Sequence, residues 1–238
     1  MRGVMTFAEL REIMMSAALK SASVRGLASD SPPKSLRSID DFDGTLSRWS
    51  VTKEEYYRLG ELGFFSDKRV QLINGDVLVM AAQSNWHATV IKAVERALEH
   101  SFGTEYFVRV QNSLDLSPLS VPDPDLAVIA GSYDSHMDRE NPTTAIMVVE
   151  VSETTLHEDR ERKSGLYAAS GIAEYWIANI RDQRLEVRTR PKVNSSNEFG
   201  FDYADLTMLD ADEFVTPRAL PGVKIPVRKL FPMLPPSD

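Results

Sequence analysis

The 238-residue sequence contains no cysteine, which excludes disulfide frameworks and thiolate metal centres and fits a reducing, cytoplasmic setting. It has no apolar run long enough to span a bilayer, so a membrane role is not expected. It has no basic excess either. Against 27 Lys and Arg stand 35 Asp and Glu, for a net charge of −8 and a pI of about 5.1. That balance argues against a generic phosphate-binding surface, though not against a local basic groove. Internal repeats and low-complexity tracts are also absent.

What is present is globular in character. The hydrophobic fraction is 42% and the charged fraction 26%, enough for a core of useful size. The length suits one domain with tails. Residues 1–28 read as a short amphipathic helix, because Glu9 and Glu12 break what would otherwise resemble a leader. Residues 29–47, "SDSPPKSLRSIDDFDGTLS", read as a linker rich in Ser, Asp and Pro. The expected organisation is an extension over 1–47, a domain over 48–232 and a tail over 233–238.

Within that domain Thr52 and Glu55 form a capping-box pattern that opens a helix at "TKEEYYRLGEL". "RVQLINGDVLVMA" places two apolar runs around Asn74-Gly75, a strong hairpin signal. Residues 86–102 have helical periodicity, with His87, Ile91, Val94 and Leu98 on one face. Strands follow at "EYFVRVQNSLDL", "DLAVIAG" and "AIMVVEV", then a helix over 156–170 ending near Gly171. "EYWIANI" and "RLEVRTR" form a hairpin with its turn near "RDQ". Residues 193–204 read as a loop, and "ALPGVKIPVRKLFP" as an extended edge segment. The order predicts a mixed sheet flanked by helices, in the α/β (α+β) range.

"MVVEVSETT" raises the chemical question, because Glu150 sits at the end of a strand built for the interior. The connector from "DLAVIAG" is short, so the two strands pair antiparallel. Asp125, at the start of the first, then meets Glu150, at the end of the second. Two carboxylates about 4 Å apart repel by about 4 kcal/mol at an effective dielectric of about 20. A shared proton, a lysine or arginine, or a divalent cation would offset that cost. The following helix supplies Lys163. It lies on an inward stripe with Leu166, Tyr167 and Ser170, extended backward by Leu156 and Arg160. Its ammonium suits charge stabilisation on a phosphate, and Asp125 and Glu150 suit a metal.

The stretches "VQLINGDVLVM", "SNWHATVI", "PDPDLAVI", "VVEVSETT", "RKSGLYAASGIAEYWIAN" and "LPGVKIPV", in this order over roughly residues 50–232, resemble the Uma-type restriction endonuclease family. That family belongs to the PD-(D/E)XK nuclease superfamily. The resemblance implies a restriction-endonuclease-like fold and Mg²⁺- or Mn²⁺-dependent hydrolysis of DNA. It implies Asp125 and Glu150 as metal ligands, with the Val151 backbone carbonyl as a secondary candidate. Ser152 stands where the superfamily motif has lysine, and Lys163 matches the place to which the family moves it. The family commonly reads Glu-Leu-Ile-Asp-Gly where this chain has Gln71-Leu72-Ile73-Asn74-Gly75, so Gln71 offers an amide in place of a charge.

Other residues carry competing readings. His87 reads as a buried, hydrogen-bonded histidine, with a catalytic base as the alternative. Asp123 is the less favoured ligand beside Asp125. Arg184, Arg188 and Arg190 alternate along one strand and, with Arg160, are candidates for nucleic-acid contact or for a solvated face. A homodimer is expected, with "KLFPMLP" as its contact. Beside the nuclease stands a second reading, a weakened nuclease fold kept as a nucleic-acid-binding or assembly module. Fold alone does not choose between them.

Overall fold

The computed structural model describes residues 49–136 and 140–232. The expected N-terminal helix and linker, and the tail from residue 233, lie outside the described residues. Helix α1 (Lys53–Glu61) begins at the capping box. The Thr52 side chain accepts from the Glu55 amide, and the Glu55 carboxylate accepts from the Thr52 amide, satisfying backbone donors that a helix start leaves open. Strands β1 (Val70–Ile73) and β2 (Asp76–Val79) pair antiparallel across Asn74 and Gly75. Both turn residues have positive φ, 50° and 80°, the geometry that makes Asn-Gly the favoured two-residue turn. A Cβ on Gly75 would also meet Ser50 at 2.6 Å.

Helix α2 (Asn85–Phe102) is capped by Ser84 and buries Val90, Ile91, Val94, Leu98 and Phe102, the apolar stripe of its sequence. The main sheet has the order β3-β4-β5-β6-β7-β8. Its strands are β3 (Tyr106–Val110), β4 (Leu126–Ala130), β5 (Met147–Ser152), β6 (Glu174–Asn179), β7 (Arg184–Val193) and β8 (Phe201–Leu209). Only β5 and β6 are parallel. Their crossover consists of α3 (Leu156–Glu158), a π-helical turn (Asp159–Lys163) and α4 (Ser164–Ala169). Gly171, with φ 74°, ends it. The architecture is the mixed, helix-flanked sheet that the sequence predicts.

Both faces of this sheet are covered. Leu126, Met147, Val149 and Trp176 pack with Val90, Val94 and Leu98 of α2 on one side. Ala127, Val148, Tyr175 and Ile177 pack with Leu166, Tyr167 and Ile172 on the other. Strands β5 and β6 are therefore buried at every position, which is why they read as continuous runs rather than alternations. Glu150 follows Val148 by two residues and so faces the α4 side.

Two expectations need correction. The loop expected over 193–204 is shorter, residues 194–200: β7 reaches Val193 and β8 starts at Phe201, in antiparallel register with it. As an edge strand β8 exposes Leu206 and Met208, so it lacks the burial that marks a strand in sequence. The C-terminal segment does not offer its first apolar residues to a partner. Leu230 and Phe231 are buried in the chain's own core, beside the short pair β9 (Phe214–Val215) and β10 (Ile225–Pro226). Among the described residues no helix is long and apolar enough to cross a membrane.

Candidate active site

The β4–β5 register pairs Leu126 with Val149, which sets Asp125 beside Glu150. The Asp125 amide lies 3.5 Å from Glu150 Oε2, and the Val151 amide donates to Asp125 Oδ2 at 2.9 Å. Lys163 Nζ reaches in from the crossover, 3.0 Å from Glu150 Oε2 and 3.3 Å from Asp159 Oδ1. Asp125, Glu150 and Lys163 are thus brought together, at the wall of a cleft of about 430 Å³. His87 Nε2 lies 2.7 Å from the Val151 carbonyl and 3.3 Å from Asp125 Oδ2. The imidazole is therefore buried and bonded. Gln71 also lines the cleft, its side-chain oxygen 3.5 Å from the Asp123 amide. Asp123 turns away to accept from the Ser113 hydroxyl at 2.6 Å.

The π turn explains which crossover residues face inward. Widening one turn shifts the residues around it relative to a regular α-helix. Asp159, 1% exposed, joins Lys163 beside Glu150, while Arg160 reaches the buried Glu186 along the same sheet face. The Thr155 hydroxyl donates to Asp159 at 2.7 Å. Tyr167, one turn after Lys163, donates to Glu150 Oε1 at 2.6 Å. Sequence reasoning missed Asp159 and placed Tyr167 on the inward stripe without a role at the site. Their i−4 and i+4 spacing from Lys163 was the available signal.

Burial dominates the electrostatics. It pushes the Glu150 carboxyl up to about 8, with Lys163 opposing and Asp125 and Asp159 adding to the rise. Burial would also raise Asp125. The hydrogen bond and charge of His87, together with Lys163 and the Val151 amide, outweigh it and hold that carboxyl below its ordinary range. For Lys163 burial favours the neutral amine, but Glu150, Asp159 and Asp125 win and keep it protonated. His87 is likewise raised, because its bond to Asp125 overcomes burial. The result is one ionised carboxylate, one carboxyl that titrates near neutrality, and a fixed cation beside both.

The four candidate arginines are not brought to this cleft, and they do not form one strip. Arg160 engages both oxygens of Glu186, at 2.9 and 3.2 Å, and Arg188 adds a contact at 3.4 Å. Arg184 pairs with Asp210 at 2.6 Å and Arg190 with Asp205. The positive φ of Arg190, 60°, interrupts the strand alternation that the expected strip required. None of the four lines the cleft.

Among the described residues no group of three His, Asp or Glu side chains is arranged to hold a metal ion. His87, Glu153 and Glu158 also line the cleft, while the candidate ligands Asp125, Glu150 and the Val151 carbonyl offer oxygen alone. That set fits Mg²⁺ or Mn²⁺, which are held through one or two carboxylates and retain water. It does not fit zinc, which favours nitrogen and sulfur in closed tetrahedra.

A family model, Uma2, described as "putative restriction endonuclease", matches residues 53–228. Among solved structures, one titled as a putative nuclease from Anabaena variabilis is similar, with a TM-score of 0.57 at 12% identity. The match covers 76% of this chain and 97% of that one. At this identity the likeness establishes a shared fold. No curated protein matches the chain.

Proposed function

We propose that this chain, which belongs to the Uma2 family of putative restriction endonucleases, hydrolyses DNA phosphodiester bonds with Mg²⁺ or Mn²⁺. The convergence of Asp125, Glu150 and Lys163 on one cleft carries this reading. Asp125 and Glu150 would hold the cation, with the Val151 carbonyl as a further oxygen. When bound, such an ion polarises the phosphate and lowers the pKa of a coordinated water.

The chain's own groups do the rest. Lys163 stays protonated and places its charge where negative charge develops on the phosphate. Asp159 and Glu150 fix its ammonium at 3.3 and 3.0 Å. Tyr167 holds Glu150 through the oxygen that Lys163 does not use. His87 steadies both Asp125 and the Val151 carbonyl from α2. Gln71 contributes an amide oxygen without a charge, so cation affinity is lower than a third carboxylate would give.

Plasmid and oligonucleotide cleavage with Mg²⁺ and Mn²⁺ tests the reading. Cutting by the parent and none by Asp125→Ala supports it; a protein inert across metals and substrates contradicts it. The neutral Gln71 in the cleft favours one rival, a nuclease fold retained as a binding or assembly module. Calorimetric titration separates the two, because the rival shows no Mn²⁺ binding that depends on Asp125. Sedimentation of the full chain tests the expected homodimer.

A further inference from the structure

Arg160, Arg184, Arg188 and Arg190 are committed to carboxylates of β7, β8 and the turn beyond. Arg162, which lines the cleft, is tied to Asp76 and Glu198. A cation that meets substrate beside Lys163 must therefore lie elsewhere near the cleft. Directly opposed residues of an antiparallel ribbon share a face. Gln71 stands opposite Leu78, and the Met80 amide donates to the Arg69 carbonyl at 2.9 Å, continuing the ladder. Arg69, Gln71, Leu78 and Met80 therefore project from one face of the β1–β2 ribbon, and the last three line the cleft. Arg69 is exposed at its mouth. Its charge reaches inward far enough to oppose the burial-driven rise of the Asp123 carboxyl.

The opposite wall differs in kind. Glu153 and Glu158 line it, and the Ser84 hydroxyl fixes Glu153 at 2.7 Å. One wall is apolar with Arg69 beside it; the other carries Glu153 and Glu158, and the Arg162 that also lines the cleft is tied to Asp76 and Glu198 at 2.7 Å, with Glu158 at 3.8 Å. The cleft's volume, about 430 Å³, lies at the small end of the roughly 300–1,000 Å³ typical of ligand sites.

Building on the hydrolytic reading above, we infer that the cleft takes single-stranded DNA. One unstacked base rests against Leu78 and Met80, and the phosphate beside it meets Arg69. Duplex DNA carries a charge about every 1.7 Å along its axis on two backbones, and the second backbone would face Glu153 and Glu158. A single strand turns its phosphates to the arginine side and its bases to the apolar wall. It also presents an unstacked base at the least energetic cost.

Fluorescence anisotropy of the full chain, without divalent metal, against a labelled single strand and the duplex of the same sequence tests this. The single strand binds at least about tenfold tighter, and log K falls against log salt with a slope of about −0.7 to −1.4, as one or two phosphates require. Arg69→Ala weakens that binding about tenfold and flattens the slope by about 0.7. Met80→Asp weakens it too, with the circular dichroism spectrum of the parent. Equal or tighter duplex binding, no binding to either, or an unchanged Arg69→Ala overturns the inference. Cleavage is scored apart. Preferred single-strand binding without cutting in any metal overturns hydrolysis and leaves the inference standing. Cutting of duplex in preference to single strand does the reverse.

Discussion

Glu150 and Glu186 invite comparison because they lie in one row across the sheet, each paired in register with Ile177. Both are buried, at 2% and 0% exposure. Both meet a cation from the same crossover, Lys163 for one and Arg160 for the other. Their surroundings then diverge. Glu186 is gripped by the fork of Arg160 and touched by Arg188, one carboxylate between two guanidiniums. Planar forks saturate a carboxylate geometrically as well as electrically. Glu150 has Asp125 and Asp159 nearby, shares the Lys163 ammonium with Asp159 while His87 serves Asp125, and has an open cleft beside it. Burying a charge does not make a site. Surplus charge of one sign next to open space does.

The largest effect that can break this contrast is catalytic. Glu150→Gln and Asp125→Asn should each lower DNA cleavage by about 10²–10³-fold or more, the scale of losing one preorganised electrostatic group. Glu186→Gln should leave turnover per folded molecule unchanged. An equal loss from Glu186→Gln would erase the distinction. Lys163→Ala sharpens it, with cleavage falling by a similar factor while Mn²⁺ binding in calorimetry persists, because the amine acts on phosphate rather than on the ion.

Stability should rank the two glutamates the other way. Glu186→Gln leaves two guanidiniums without their shared charge and should cost about 3–5 kcal/mol in urea unfolding, the range for breaking a buried pair. Glu150→Gln should cost less, since it removes one of three clustered acids.

A smaller effect concerns pH. The Glu150 carboxyl sits at about 8 when folded, against 4.5 as its ordinary value. Between those values the folded chain keeps a proton that the unfolded chain has released. The contribution of this group to stability therefore falls as pH rises from about 4.5 to about 8. Urea midpoints across that window should show the slope in the parent and lose it in Glu150→Gln. Metal binding runs oppositely: it needs the carboxylate, so affinity rises toward pH 8 and a proton is released. Calorimetry in buffers of different ionisation enthalpy counts that proton. Smallest of all, Arg184→Ala and Arg190→Ala should move neither urea midpoint nor DNA affinity, because exposed ion pairs contribute little.

The contrast also marks what the sequence could reveal. Local chemistry was readable: the Thr52–Glu55 capping box, the Asn74-Gly75 turn and the buried run at Met147 each specify their structure within a few residues. The Asp125–Glu150 meeting was readable too, because a short connector dictates antiparallel pairing. The π turn was not, since nothing in "HEDRERK" departs from an ordinary helix. Strand β8 was hidden by the exposure of an edge, which removes the apolar alternation. The arginine strip failed for a non-local reason. Its partners Asp205 and Asp210 come from β8 and the turn beyond it, and no pattern within β7 announces them.

Anomalous diffraction at the manganese edge, from crystals of the full chain soaked in Mn²⁺, tests the central claim most directly. A peak between the carboxylates of Asp125 and Glu150, within coordination distance of the Val151 carbonyl, is the predicted result. A well-diffracting crystal at high Mn²⁺ with no peak there would contradict it and leave Glu150 as structural as Glu186.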